Sequence, residues 1–104
     1  MSTDKPIYHQ GDPILVSWQN APGNNGLDWI GIYPYGTLPH SGSTLWEYID
    51  GTHSAGAAPV NGTVTINSSS LGVGPWPLPV GSWTAWYLLN DGYTGAASIE
   101  FTVQ

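Results

Sequence analysis

Cysteine is absent from the 104 residues, which excludes a disulfide framework, a thiolate metal site and a cysteine nucleophile together. Basic charge is nearly absent: Lys5 stands against seven acids, for a formal charge of -6. Such a surface repels phosphate backbones and anionic lipid, so the composition argues against nucleic-acid partners and against membrane insertion. No apolar run approaches the roughly 18 residues of a membrane span. The start MSTDKPIYHQ lacks the charged-then-apolar profile of a secretory leader. Charge of either sign makes up only 8% of the chain, against roughly 25% in an ordinary soluble domain. Solubility then rests on Asn, Ser, Thr, Gly and exposed Tyr or Trp, a polar uncharged surface that suits contact with extracellular glycans.

Catalytic and metal motifs are missing as well. His9, His40 and His53 are far apart in the chain, with no H-x-H or H-E-x-x-H spacing and no acid at ligand distance in sequence. Ser17, Ser43 and Ser82 lie in no nucleophile elbow. The expectation is a noncatalytic domain that needs no cofactor.

Turn formers, by contrast, are plentiful. Fourteen glycines and nine prolines punctuate the chain, and no helix-length window carries a 3.6-residue apolar period. Strands are expected at 6–9, 14–19, 28–33, 44–50, 63–67, 82–89 and 98–103, with turns such as NAPGNNG (20–26) and NDGYTG (90–95) between them. Seven short strands in a single domain, 1–104, predict an all-β fold, an antiparallel immunoglobulin-like β-sandwich.

Alternation assigns the faces. Ile14, Val16 and Trp18 share one face, as do Trp83, Ala85, Tyr87 and Leu89, and Ile99, Phe101 and Val103. Ser17, Thr84, Ser98, Glu100 and Thr102 point the other way. The run DWIGIYP (28–34) does not alternate, which fits a central strand buried on one side by Ile30 and Ile32 and covered on the other by its own Trp29 and Tyr33. The Pro- and Gly-rich stretch 68–81 reads as an ordered crossover packed by Trp76 and Leu78.

The strings GDPILVSW (11–18), DWIGIYP, STLWEYIDG (43–51), PVGSWTAWYLLNDGY (79–93) and ASIEFTV (97–103) resemble the immunoglobulin-like domain found ahead of some calcineurin-type phosphoesterases and, more distantly, SKICH domains. The likeness runs over nearly the whole chain. Trp83, two residues after Gly81, occupies the place where such sandwiches often keep a corner tyrosine. The resemblance implies a noncatalytic accessory or recognition domain, and a fold alone does not assign its ligand.

In an immunoglobulin-type sandwich the connection before strand 28–33, the end of strand 44–50 and the turn after Leu89 emerge at one end. They would bring together Asn20, Asn24, Asn25 and Asp28, then Asp50, Thr52 and His53, then Asn90, Asp91 and Tyr93. Amides and carboxylates beside rings are the mixture that a sugar's hydroxyls and apolar C–H face require. Trp46 and Tyr48 share a face of the strand ending at Asp50 and join Tyr93 as candidates for stacking. The bland reading stands beside this one. Asn24-Asn25-Gly26 and Asn90-Asp91-Gly92 are ordinary turn chemistry, and Asp28 is either a ligand contact or a buried peg for backbone N–H groups.

Six Trp and six Tyr exceed what so small a core holds. Trp86, opposite to Trp83 in the alternation, is expected on the outside, and the surplus rings serve either as a ligand platform or as the interface of a homodimer. Calcium is a third reading, with Asp28, Asp50 and Asp91 as oxygen ligands from separate loops. Asn61-Gly62-Thr63 and Asn67-Ser68-Ser69 match the N-glycosylation acceptor pattern. The favoured function is carbohydrate binding of a lectin-like kind. The alternative is a protein-interaction or accessory domain of a phosphoesterase-like protein.

Overall fold

The computed structural model describes residues 1–19, 26–49 and 62–104. Eight strands form two sheets: β1 (Ser2–Thr3), β2 (Ile7–Tyr8), β3 (Ile14–Trp18), β4 (Trp29–Pro34), β5 (Leu45–Tyr48), β6 (Gly62–Ile66), β7 (Gly81–Leu89) and β8 (Thr94–Val103). The smaller sheet has the order β1-β3-β6 and the larger β2-β8-β7-β4-β5. Among the described residues there is no helix.

All seven expected strands are present, several with shifted ends, and β1 is additional. β1 is two polar residues long and takes its conformation from antiparallel pairing with Val16 and Ser17 of β3, so it leaves no pattern of its own. The pairing is not wholly antiparallel: β2 runs parallel to the end of β8, Ile7 beside Thr102 and Tyr8 beside Val103. β8 begins at Thr94 rather than 98. Its partner β7 carries the ladder up to the pair Leu89–Thr94, with a register shift opposite the Tyr87–Leu88 step that leaves Ala96 of β8 out of the pairing and breaks simple alternation in β8.

The expected faces hold along most of their length. Ile14, Val16 and Trp18 of β3, Val64 and Ile66 of β6, Ile30 and Ile32 of β4, and Trp83, Ala85 and Tyr87 of β7 meet in one buried cluster between the sheets. Ser17 and Thr63 sit outside it, their hydroxyls 2.8 Å apart on the solvent side of the β3–β6 pair. Thr84 departs from expectation, because it faces outward but is buried.

The crossover 68–81 is ordered as expected, with Leu78 in the core and Trp76 packed against it. Its residues 71–74 also lie along the outer edge of β5 and the two residues before it. Trp46 N–H donates to Leu71 O, Val73 N–H to Ser43 O and Gly74 N–H to Thr44 O. These bonds satisfy edge groups that would otherwise invite another strand. A side chain at Gly72 is prohibited by this close approach, since its Cβ would fall 2.3 Å from Thr44 O at a φ of +139°. Ser70 donates to the buried Glu47 from the same segment, tying crossover to strand a second time.

Candidate functional site

The outward face of the larger sheet carries a second buried cluster. Trp29, Tyr33 and Leu88 form it, with Trp46, Tyr48 and Trp86 packed around them. It follows from the run WIGIYP: in β4 the residues facing away from the core are two large rings with Gly31 between them, and the rings tilt over the glycine. A Cβ there would meet Trp29 at 2.8 Å and Tyr33 at 2.9 Å.

At the end of the sheet near Tyr48 this face opens into a concavity of about 290 Å3, lined by Trp29, Trp46, Tyr48, Asp91 and Tyr93 together with Gly42, Ser43, Gly72 and Val73. The rings stand nearly perpendicular to their neighbours. Trp29 meets Trp46 at 6.2 Å and 80° and Tyr93 at 5.9 Å and 85°, and Trp46 meets Tyr48 at 5.1 Å and 85°. Edge-to-face contact is the favoured geometry for such pairs, because the positive edge of one ring meets the negative face of the next.

The β7–β8 turn sets the position of Asp91 and Tyr93. Asn90 and Asp91 have φ of 50° and 58°, and Gly92 N–H donates to Leu89 O at 2.9 Å. Two consecutive left-handed residues are what a type I′ hairpin turn demands, and Asn-Asp-Gly supplies residues that tolerate them. Three bonds lash the turn to the start of β4: Asp91 N–H to Leu27 O at 2.7 Å, Asn90 N–H to Asp28 Oδ1 at 2.9 Å, and Trp29 Nε1–H to Gly92 O at 2.9 Å. Tyr48 from β5 then donates its hydroxyl to Asp91 Oδ1 at 3.0 Å. Burial raises the pKa of that hydroxyl, and the hydrogen bond to Asp91 and its negative charge raise it further.

Of the residues expected at the site, Trp46, Tyr48, Asp91 and Tyr93 line one concavity. Asn24, Asn25, Asp50 and His53 lie outside the described residues, as do Asn20 and Thr52. Asn90 contributes its backbone to the turn and does not line the groove. Asp28 is fully buried and acts as the peg. Its Oδ2 accepts from the Tyr87 hydroxyl at 2.8 Å and its Oδ1 from Asn90 N–H, so the carboxylate braces the core to the turn from beneath the groove. Burial, with Asp28 as acceptor, pushes the Tyr87 hydroxyl pKa up. Trp86 faces outward as alternation predicts, yet it is half-buried against the aromatic cluster and not part of the groove wall. Among the described residues, no three His, Asp or Glu gather as metal ligands would.

The sequence reading missed Trp29, Gly42, Ser43, Gly72 and Val73 as groove residues. Trp29 carried a signal, the outward register of a strand buried on both faces. Val73 and Gly72 carried none, because they arrive with a crossover that has no periodicity.

No family model matches the chain, and no solved structure matches it. A stretch of 48 residues is 38% identical to part of the phosphatidylethanolamine N-methyltransferase of Malassezia globosa, covering 41% of this chain and 5% of that protein. The chain thus spans a small fraction of the length of the curated relative it matches.

Proposed function

We propose that this is a noncatalytic carbohydrate-binding domain, lectin-like in its use of aromatic rings, and that the groove beside the β7–β8 turn holds the glycan. The observation that carries the reading is the meeting of four aromatic rings with the Asp91 carboxylate around one open concavity. A pyranose offers an apolar C–H face for a ring such as the half-exposed Tyr93 and hydroxyls for Asp91 and Ser43. The turn is held by three bonds before any ligand arrives, so little ordering accompanies binding. The two sheets around one core support an immunoglobulin-like assignment, to which Trp83 adds a corner contact: its Nε1–H donates to Pro79 O, four residues upstream, at 2.9 Å. A glycan array with the 104-residue chain tests the function. Saturable binding that Asp91→Ala weakens by about 1.5–3 kcal/mol is expected for a charged hydrogen bond, and an array with no bound glycan overturns the reading.

A second reading has its own support. The matched methyltransferase is a much longer chain, of which the similar stretch is 5%, and this favours an accessory or protein-interaction domain of a larger protein. For the free chain we propose a homodimer. Scarce charge leaves little to keep edges apart, and Leu38 and Val73 are each more than 70% exposed. Sedimentation over a dilution series decides that point, since a monomer at every concentration removes the dimer.

A further inference from the structure

The groove is unusual in its charge as well as its rings. Four aromatic rings, whose faces carry negative potential, line it, and among the described residues its one carboxylate is that of Asp91. Tyr48 occupies Oδ1 of that carboxylate, and Oδ2 has no hydrogen-bond partner among the described residues. Arginine is absent from the chain, and the single lysine, Lys5, pairs with Asp12 and lies over the Tyr8 ring, neither of which lines the groove. No lysine or arginine therefore competes for these faces.

Perpendicular contacts turn this chemistry into a shape. Where the edge of one ring abuts the face of another, the two make a corner in which a face of each looks into the same space. Trp29 shares such corners with Trp46 and with Tyr93, and Trp46 shares one with Tyr48. Perpendicular rings and a carboxylate around one concavity are the components of an aromatic cage, the arrangement that binds alkylated ammonium groups through cation–π attraction. A neutral sugar needs one stacking face and several hydrogen-bond partners, whereas this concavity gathers four rings and one carboxylate.

We propose that the groove selects a ligand bearing an alkylammonium cation, seated among Trp29, Trp46, Tyr48 and Tyr93 with its charge toward Asp91. The inference rests on the reading of this groove as a ligand site. On the glycan reading it names the sugar class: an unacetylated amino sugar of the glucosamine type, with uronic acids and sulfated sugars repelled.

The test follows the tryptophan indole NMR signals of the full chain during four titrations: choline, its neutral carbon isostere 3,3-dimethylbutan-1-ol, glucosamine oligomers, and N-acetylglucosamine oligomers. Choline and glucosamine oligomers are expected to bind, each about tenfold more tightly than the corresponding neutral compound, as a partly desolvated cation–π site implies. Asp91→Asn keeps the turn, because Asn tolerates the same left-handed conformation, and is expected to narrow that margin. Equal affinity for choline and its isostere, or no choline binding, overturns the inference. Choline binding without any oligosaccharide binding upholds the cation site and overturns the glycan reading. N-acetylglucosamine binding without choline binding does the reverse.

Discussion

The space between the sheets and the outward face of the larger sheet are both lined with hydrophobic side chains, yet the two are built differently. The inner region is largely aliphatic, with Ile14, Val16, Ile30, Ile32, Val64 and Ile66 each 1% exposed or less, and it joins two sheets. The outer region is aromatic, lies on one sheet, and has no second sheet over it among the described residues. There the rings cover one another, and their polar tips hold loops: Trp29 holds the β7–β8 turn at Gly92, Tyr33 donates to His40 O, and Tyr48 holds Asp91. An aliphatic core gives the domain its shape. An aromatic face gives it a surface whose outline is held where Trp29, Tyr33 and Tyr48 combine ring packing with a hydrogen bond at the polar tip.

Asp28 joins the two regions, and replacing it is expected to have the largest effect. Its carboxylate receives the Tyr87 hydroxyl from the inner core and the Asn90 N–H from the turn that shapes the groove. Asp28→Ala removes two charge-assisted bonds at about 1.5–3 kcal/mol each, and it leaves buried donors unsatisfied. Urea unfolding should register the summed loss. A variant with wild-type stability would show that the two regions are independent.

Trp83→Ala comes next and strikes the inner region alone. Trp83 is 7% exposed, belongs to the inner cluster, and bonds to Pro79 O. Deleting a buried ring of this size costs about 3–5 kcal/mol, measurable as a lower melting temperature. The outer aromatic contacts should survive in whatever fraction remains folded, visible in the near-ultraviolet circular dichroism.

Gly31→Ala is the matching change in the outer region. The added methyl group meets Trp29, Tyr33 and Leu88 within 3.1 Å, and overpacking of this kind costs about 1–3 kcal/mol. Relief requires the two rings to part, so the groove should change along with stability. An Ala variant as stable as the parent would mean that the outer rings are loosely held, against the anchoring described above.

The inner region was legible because strand periodicity reports it directly. Ile14, Val16 and Trp18, or Trp83, Ala85 and Tyr87, sit two residues apart and face one core. Alternation holds along β7, with Trp86 and Leu88 in the outer cluster and Leu89 packed on the inner one; it failed at the start of β8, where the register shifts by a residue, and at β1, which borrowed its conformation from β3. The outer region was half legible. Trp46, Tyr48, Asp91 and Tyr93, brought together on strand faces and loop ends, do line one concavity. Whether Asp28 was ligand contact or peg could not be decided by sequence, since both roles call for a carboxylate at the start of β4. The deciding partner, Tyr87, lies 59 residues away. Val73 reaches the groove through backbone bonds of an irregular crossover, which leave no residue pattern.

Tyr93→Ala is expected to have the smallest effect on stability and so gives the sharpest separation of the two regions. Tyr93 is 49% exposed and makes one ring contact, with Trp29. Losing an edge-to-face partner at the surface costs about 0.5–1.5 kcal/mol at most. Its backbone follows a turn fixed by Asn90, Asp91 and Gly92, so the hairpin should form without the ring. Binding should respond out of proportion, because Tyr93 is the most exposed ring of the groove wall and the one that a ligand meets first. Denaturation and titration of one preparation with the same glycan therefore give two numbers to compare. A nearly unchanged midpoint with an affinity at least tenfold weaker assigns the outer region to recognition. Equal losses in both would make Tyr93 one more packing residue, and the outer cluster an extension of the core.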